Sequence, residues 1–313
     1  MFPSLARIAH MYYNEGLTQQ EIASRLQMSR IKISRLLRQA REQGIVKIEI
    51  KYNGFFPELE QALTSAYGIQ FIIADSVSSD PADLLDSLGA VAADYLESML
   101  SEQKVVAVGW GQTLRAVSSH LSAEAPNTTF VPLVGGQANA GLDIHANSIA
   151  AQMASRTGGK AEALFAPAVA DSIHSRDMLL ESRPINRVLS MAANAPVCLF
   201  GVGAPFSPAS SIKSVGYYSP TDINTLRQEG AACDILSTAY YSVAGEQCAQ
   251  SISSRTLSLS EDQLRKIPHK ICVAGGSGKH EAIKIALDLH SIIDVMILDD
   301  ISARYLLANC AKS

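Results

Sequence analysis

Residues 18–44 read TQQEIASRLQMSRIKISRLLRQAREQG, with five positive charges and no negative one between Ser29 and Arg41. The chain of 313 residues nevertheless carries a net charge of −4. Thr18 with Glu21 three residues on is a capping box that opens a helix, whose apolar positions are Ile22, Ala23 and Leu26. Gln27 and Met28 form a short turn, and Ser29 is the next N-cap. The helix that follows runs to about Gln43, buries Ile33, Leu36, Leu37 and Ala40, and stops at Gly44. Two short helices joined in this way make a helix-turn-helix, whose second helix enters the DNA major groove. Ala23 is the small residue where the helices touch; Ile22, Leu26, Met28, Ile33 and Leu36 hold the crossing.

With those residues inside, Arg30, Ile31, Lys32, Ser34, Arg35 and Arg38 face outward. Arginines near the start of the helix suit bidentate bonds to guanine. Arg38 and Arg41 lie further back and suit phosphate, as do the hydroxyls of Thr18 and Ser34. A merely solvated basic helix would carry the same charge. The two N-caps, the small residue and the turn at matching spacing favour double-stranded DNA as a partner. Gln27 stands where such turns often carry glycine, which predicts a mildly strained residue there.

Leu5, Ile8, Ala9 and Tyr12 follow helical spacing, so residues 4–14 read as a preceding helix ended by Gly16. IVKIEIKY (45–52) alternates as a half-buried strand does, giving a winged-helix-like module over 1–52. Residues 1–51 hold nine Lys/Arg against four Asp/Glu, while the remainder carries a net −9. A small basic module for a polyanion is thus attached to a larger domain with another task. Hydrophobic residues are 47% and charged residues 18%, enough for a sizeable core and against extensive disorder. Five cysteines without a CxxC or a histidine at metal-ligand spacing read as buried thiols in a reducing compartment. No signal-peptide core or membrane-span-length apolar run appears, so a cytoplasmic protein without cofactor or metal is expected.

After a linker at 53–57, residues 58–313 read as an α/β domain. Helices at 58–67 and 81–100 alternate with apolar strands FIIA (71–74), VVAVG (105–109), FVPLV (130–134), VCLFG (197–201), KICVAG (270–275) and VMIL (295–298). Continuous apolar strands ending in glycine, with helices between them, predict a Rossmann-like parallel sheet covered on both faces. Four glycine turns would gather at its carboxyl edge: GWGQT (109–113), VGG (134–136), GVGA (201–204) and AGGSGK (274–279). Ligands of open α/β sheets bind there, and helix N-termini with Lys279 favour a small anion.

The N-terminal run resembles the DNA-binding domain of the SorC/DeoR-type sugar-responsive transcriptional regulators. GWGQT, VGG, Asn147, FAP (165–167), GVGA, GAACDIL (230–236), AGGSGKHEAI (274–283) and LDDISARYLL (298–307) extend the resemblance over nearly the whole chain. It implies an effector domain similar to sugar-phosphate isomerases and glucosamine-phosphate deaminases. By position, Gly109, Gly111, Gln112 and Thr113 would hold phosphate, Gly135 and Gly136 would line the pocket, Asp234 and Lys279 would contact hydroxyls or the anion, and Asp299 would lie at the rim. Cys233, Leu298 and Pro196 depart from the residues common in the family.

The expected protein is therefore a DNA-binding regulator of carbohydrate metabolism, modulated by a sugar or sugar phosphate, with operator symmetry implying a homodimer or homotetramer. The alternative is an isomerase- or deaminase-like enzyme. Asp234 and Asp299 would then be candidate bases, and His145, His280 and His290 candidate acids. No Ser/His/Asp order, HExxH or Walker sequence accompanies them, and an enzyme would have no use for residues 18–44.

Overall fold

A computed structural model of the chain describes residues 4–46, 55–76, 80–102, 104–136, 143–208 and 210–310. They fall into two compact units, Met1–Tyr52 and Asn53–Ser313. Residues 47–52 of the expected strand at 45–52, and 53–54 of the expected linker at 53–57, lie outside the described residues.

The smaller unit contains α1 (Leu5–Tyr13), α2 (Gln19–Leu26) and α3 (Arg30–Glu42). Each begins with a hydroxyl N-cap: Ser4, Thr18 and Ser29 accept from the backbone N–H three residues on. Thr18 and Glu21 form the reciprocal capping box, and the bonds that the Thr18 N–H and hydroxyl donate to the Glu21 carboxylate hold it below the usual range. Ile8, Met11, Ile22, Ala23, Ile33 and Leu37 form the core, with Leu26, Met28 and Leu36 only partly buried around it. Gln27 adopts the left-handed conformation, φ 53° and ψ 44°, which costs a side-chain-bearing residue free energy that glycine avoids.

In the larger unit the main sheet comprises β1 (Gln70–Ala74), β2 (Val105–Val108), β3 (Thr129–Pro132), β4 (Lys160–Ala161), β5 (Val197–Phe200), β10 (His269–Val273) and β11 (Val295–Asp299). Their order is β1-β11-β10-β5-β2-β3-β4, every pairing parallel. Successive strand residues feed opposite faces. In β2, Val106 and Val108 join a cluster with Leu88, Leu96 and Leu114, whereas Ala107 joins one with Val188, Leu189 and Ile283. That double burial is why these strands read as unbroken apolar runs. Helices α4 (Pro57–Tyr67), α5 (Pro81–Leu100), α6 (Gln112–His120) and α7 (Ala146–Thr157) follow along the chain.

Periodicity gave no sign of a second, antiparallel sheet. It is built from β6 (Val202–Gly203), β7 (Ala231–Ile235), β8 (Ala239–Ser242) and β9 (Gln247–Cys248). Two of its strands have only two residues, and a register shift interrupts β7 between Ala231 and Cys233. Neither an alternating nor a continuous apolar pattern survives that. β6 follows β5 directly, so the small sheet grows from the carboxyl edge of the large one, where β7 brings Asp234.

Candidate functional site

The smaller unit presents its basic helix to solvent. Arg30, Ile31, Arg35 and Arg38 are exposed, while Lys32 and Ser34 are partly buried. Ile31 is 83% exposed. An apolar side chain left out on the recognition helix is suited to a thymine methyl group. Thr18 is exposed, but its hydroxyl both accepts from the Glu21 N–H and donates to the Glu21 carboxylate at 2.8 Å.

In the larger unit a cavity of about 510 Å³ opens outside the carboxyl ends of β1, β11, β10, β5 and β2. It gathers Gly111, Gln112, Thr113, Asp234, Lys279 and Asp299 from the sequence-predicted set. Gly111 precedes α6 with φ 124° and ψ 166° and donates its N–H to Ile144 at 2.8 Å. The first intrahelical bond of α6 runs from Arg115 N to Gly111 O, so the N–H groups of Gln112, Thr113 and Leu114 have no partner within the helix. Together with the helix dipole they form an anion-binding end. The Gln112 amide donates to Ser211 Oγ at 3.2 Å, holding that end to the segment after β6.

Lys279 closes the short 3₁₀ turn Ser277–Lys279 after β10. It is half-buried, and burial lowers its ammonium, opposed by Cys272 and Asp234, which favour the charge. Asp234 is only 5% exposed and accepts from Ser237 N at 2.7 Å. Burial pushes its carboxyl up to about 7, although the Ser237 bond and the charge of Lys279 pull it down. Near neutral pH it therefore exists both as donor and as acceptor, and either form can meet a hydroxyl.

Gly109, Gly135 and Gly136 do not line the cavity. Their N–H groups go to Leu199, Leu257 and Ala166 oxygens at 2.8, 2.7 and 2.9 Å. A Cβ on Gly135 would collide with the carbonyl oxygens of Pro167 and Ala166, and one on Gly136 with the Tyr217 ring. On Gly109 it would lie 2.8 Å from Leu236. Asn147 fastens the same loop, donating to the Gly136 and Leu164 carbonyls and accepting from Leu164 N. These glycines serve close packing of the chain against itself, Gly109 at the end of β2 and Gly135 and Gly136 one strand beyond the cavity.

Asp299 lines the cavity, but its carboxylate is taken up by protein donors. It caps the helix Asp300–Ala308 through Ser302 N and Oγ at 2.9 and 2.6 Å, and accepts from Gly276 N at 2.7 Å. It positions the glycine turn that leads into Lys279. None of the three histidines lines the cavity. His145 is buried with Nδ1 2.8 Å from the Tyr217 hydroxyl, and burial lowers its pKa. His280 stacks on Tyr305 at 4.3 Å, and His290 is exposed.

Sequence reasoning missed Trp110, Ser211, Ile212, Leu84, Leu85 and Ile301, all of which line the cavity. Trp110 lies inside the quoted GWGQT, where an indole between two glycines is itself a signal. The leucines are ordinary amphipathic-helix positions, and 205–212 is a Pro/Ser-rich stretch that reads only as loop. Among the described residues no helix is long and apolar enough to cross a membrane.

A helix-turn-helix joined to a parallel-sheet unit with a cavity at its carboxyl edge defines a ligand-responsive DNA-binding regulator. The family model described as "Putative sugar-binding domain" matches residues 53–308, and that of Sigma-70, region 4 matches residues 6–43. The chain is 28% identical to the deoxyribonucleoside regulator of Bacillus subtilis over 95% of each protein. It is 30% identical to the transcriptional regulator LsrR of Escherichia coli, over 97% of this chain and 94% of the relative. The full-length sorbitol operon regulator SorC from Klebsiella pneumoniae superposes with a TM-score of 0.72 at 27% identity, covering 97% of this chain and 98% of that one. The chain belongs to the SorC/DeoR family of transcriptional regulators with a sugar-binding domain.

Proposed function

We propose that the larger unit holds a phosphorylated sugar in this cavity and that its occupancy sets how strongly the smaller unit holds an operator. One observation carries the reading: the start of α6, Lys279 and Asp234 line a single cavity. Unpaired N–H groups and an ammonium suit a phosphate. A buried carboxyl suits the hydroxyls of a sugar, and Trp110 adds apolar surface to the cavity lining. One helix-turn-helix covers one half-site, so a symmetric operator is read by a dimer or tetramer assembled through the larger unit. Effector then acts by preferring one arrangement of subunits. The protein works in the cytoplasm and does not turn its ligand over.

A panel of free and phosphorylated sugars, read by melting temperature and by operator retention, tests this. Phosphorylated sugars should raise the melting temperature and change operator affinity without product. Lys279→Ala should lose the response by about 30–100-fold in effector affinity, the worth of a charge-assisted bond, while keeping operator binding. Arg35→Ala should do the reverse. The second reading, an enzyme, draws on the Asp234 carboxyl titrating near 7, a value suited to a general base. Isomerised or deaminated product would decide for it.

A further inference from the structure

We infer that the effector is a sugar phosphate bearing an apolar substituent, such as a phosphorylated glycoside with an aryl or alkyl aglycone. This rests on the phosphorylated-sugar reading and extends it to the rest of the cavity. The groups that suit phosphate and hydroxyls are the α6 start, Lys279, Asp234, Asp80 and five serines. Another wall is apolar. Leu84, Leu85 and Leu88 of α5 line it, at spacings that put them along one side of the helix. Ile301 from the helix after β11 joins them and is 53% exposed.

The row of leucines borders the glycine turn that leads into Lys279. A Cβ on Gly275 would lie 2.8 Å from Leu88 Cδ1, and one on Gly276 would lie 3.1 Å from Leu84 Cδ2. Apolar wall and cation are thus neighbours in one cavity of about 510 Å³, a volume within the ~300–1,000 Å³ of pockets that enclose drug-sized ligands. A bare sugar phosphate has only hydroxyls and charge on most of its surface and leaves Leu84, Leu85 and Ile301 uncovered. An aglycone covers them and removes apolar surface from water on both sides.

Calorimetric titration of the full-length protein with the 6-phosphates of glucose and galactose, and with those of their phenyl β-glycosides, tests the inference. At least one phenyl glycoside phosphate should bind ~10–100-fold more tightly than its parent sugar phosphate. Ile301→Ser, a change at an exposed position, should remove most of that gain and leave the parent's affinity within about twofold. Leu84→Ser should act in the same sense. Parents binding as tightly as their glycosides, or variants weakening both equally, would overturn the apolar subsite while leaving the phosphorylated-sugar reading intact. Binding by neither set would remove that reading and the subsite with it.

Discussion

The loops after β2 and β3 begin alike, as apolar strands running into glycine, yet they do opposite things. After β2, Gly111 turns the chain into α6 and leaves the N–H groups of the first turn facing a cavity. After β3, Gly135 and Gly136 press against Pro167, Ala166 and Tyr217 and give their N–H groups to carbonyls of the same chain. A glycine after a strand therefore announces that something comes close. Whether that is a ligand or the protein's own backbone depends on the neighbouring strands. β2 lies beside β5, whose continuation β6 and partner β7 bring Asp234 to the cavity. β3 lies one strand further out.

Alanine at each loop separates the two roles most sharply. Gly135→Ala places its methyl group against backbone, including the Ala166 oxygen at 2.8 Å, which cannot rotate away as a side chain would. We expect a loss of about 3 kcal/mol in folding stability, measured by chemical denaturation, with effector affinity unchanged in the protein that remains folded. Gly111→Ala meets nothing within 4 Å but must adopt φ 124°. It should cost ~1–2 kcal/mol of stability and weaken effector binding by more, because the turn aims the α6 N–H groups. Equal losses of both properties in both variants would erase the distinction.

The cavity side of the comparison has a pH signature that the β3 loop lacks. In the folded chain the Asp234 carboxyl titrates near 7, against 3.8 for an unburied one. The folded protein binds more protons in between, so stability is greatest below the lower value and falls as pH rises towards 7. The slope from this group is about 1.4 kcal/mol per pH unit within that window, and Asp234→Asn should flatten it. Effector affinity should likewise change near pH 7 in the native protein and not in the variant. A native stability profile that is flat from pH 4 to 7, or one unaltered by Asp234→Asn, would mean that the carboxyl is not held out of water as the fold implies.

The same logic explains what was legible in the sequence. Local signals came through: Thr18, Glu21 and Ser29 cap where their side chains say, because capping depends on residues three apart. The parallel strands came through because burial on two faces leaves an unbroken apolar run. The glycine turn before it marked Lys279, whereas resemblance supplied Asp234, which spacing alone would not have brought into the same cavity. What failed depended on contacts distant in sequence. The roles of Gly135 and Gly136 are set by residues 30 to 80 positions away. Asp299 does lie at the cavity, but that Ser302 and Gly276 occupy its carboxylate was not readable. The small antiparallel sheet left no period to read.

Gln27 is the converse of these glycines, a position that takes a glycine's conformation without being one. Its φ of 53° and ψ of 44° lie in the left-handed region, and its own N–H still reaches the Ala23 and Ser24 carbonyls. The side chain is exposed, so nothing packed is lost when it is removed. Gln27→Gly relieves the left-handed cost but gives the unfolded chain more freedom, and the two effects partly cancel. We expect a net gain of ~0.5–1 kcal/mol, read as a higher melting temperature of the helix-turn-helix unit. Operator affinity should stay within about twofold, because Arg30 and Arg35 keep their places on α3. A stability loss would show that the Gln27 side chain contributes to the turn. Unchanged stability with weaker operator binding would instead place Gln27 among the residues that touch DNA.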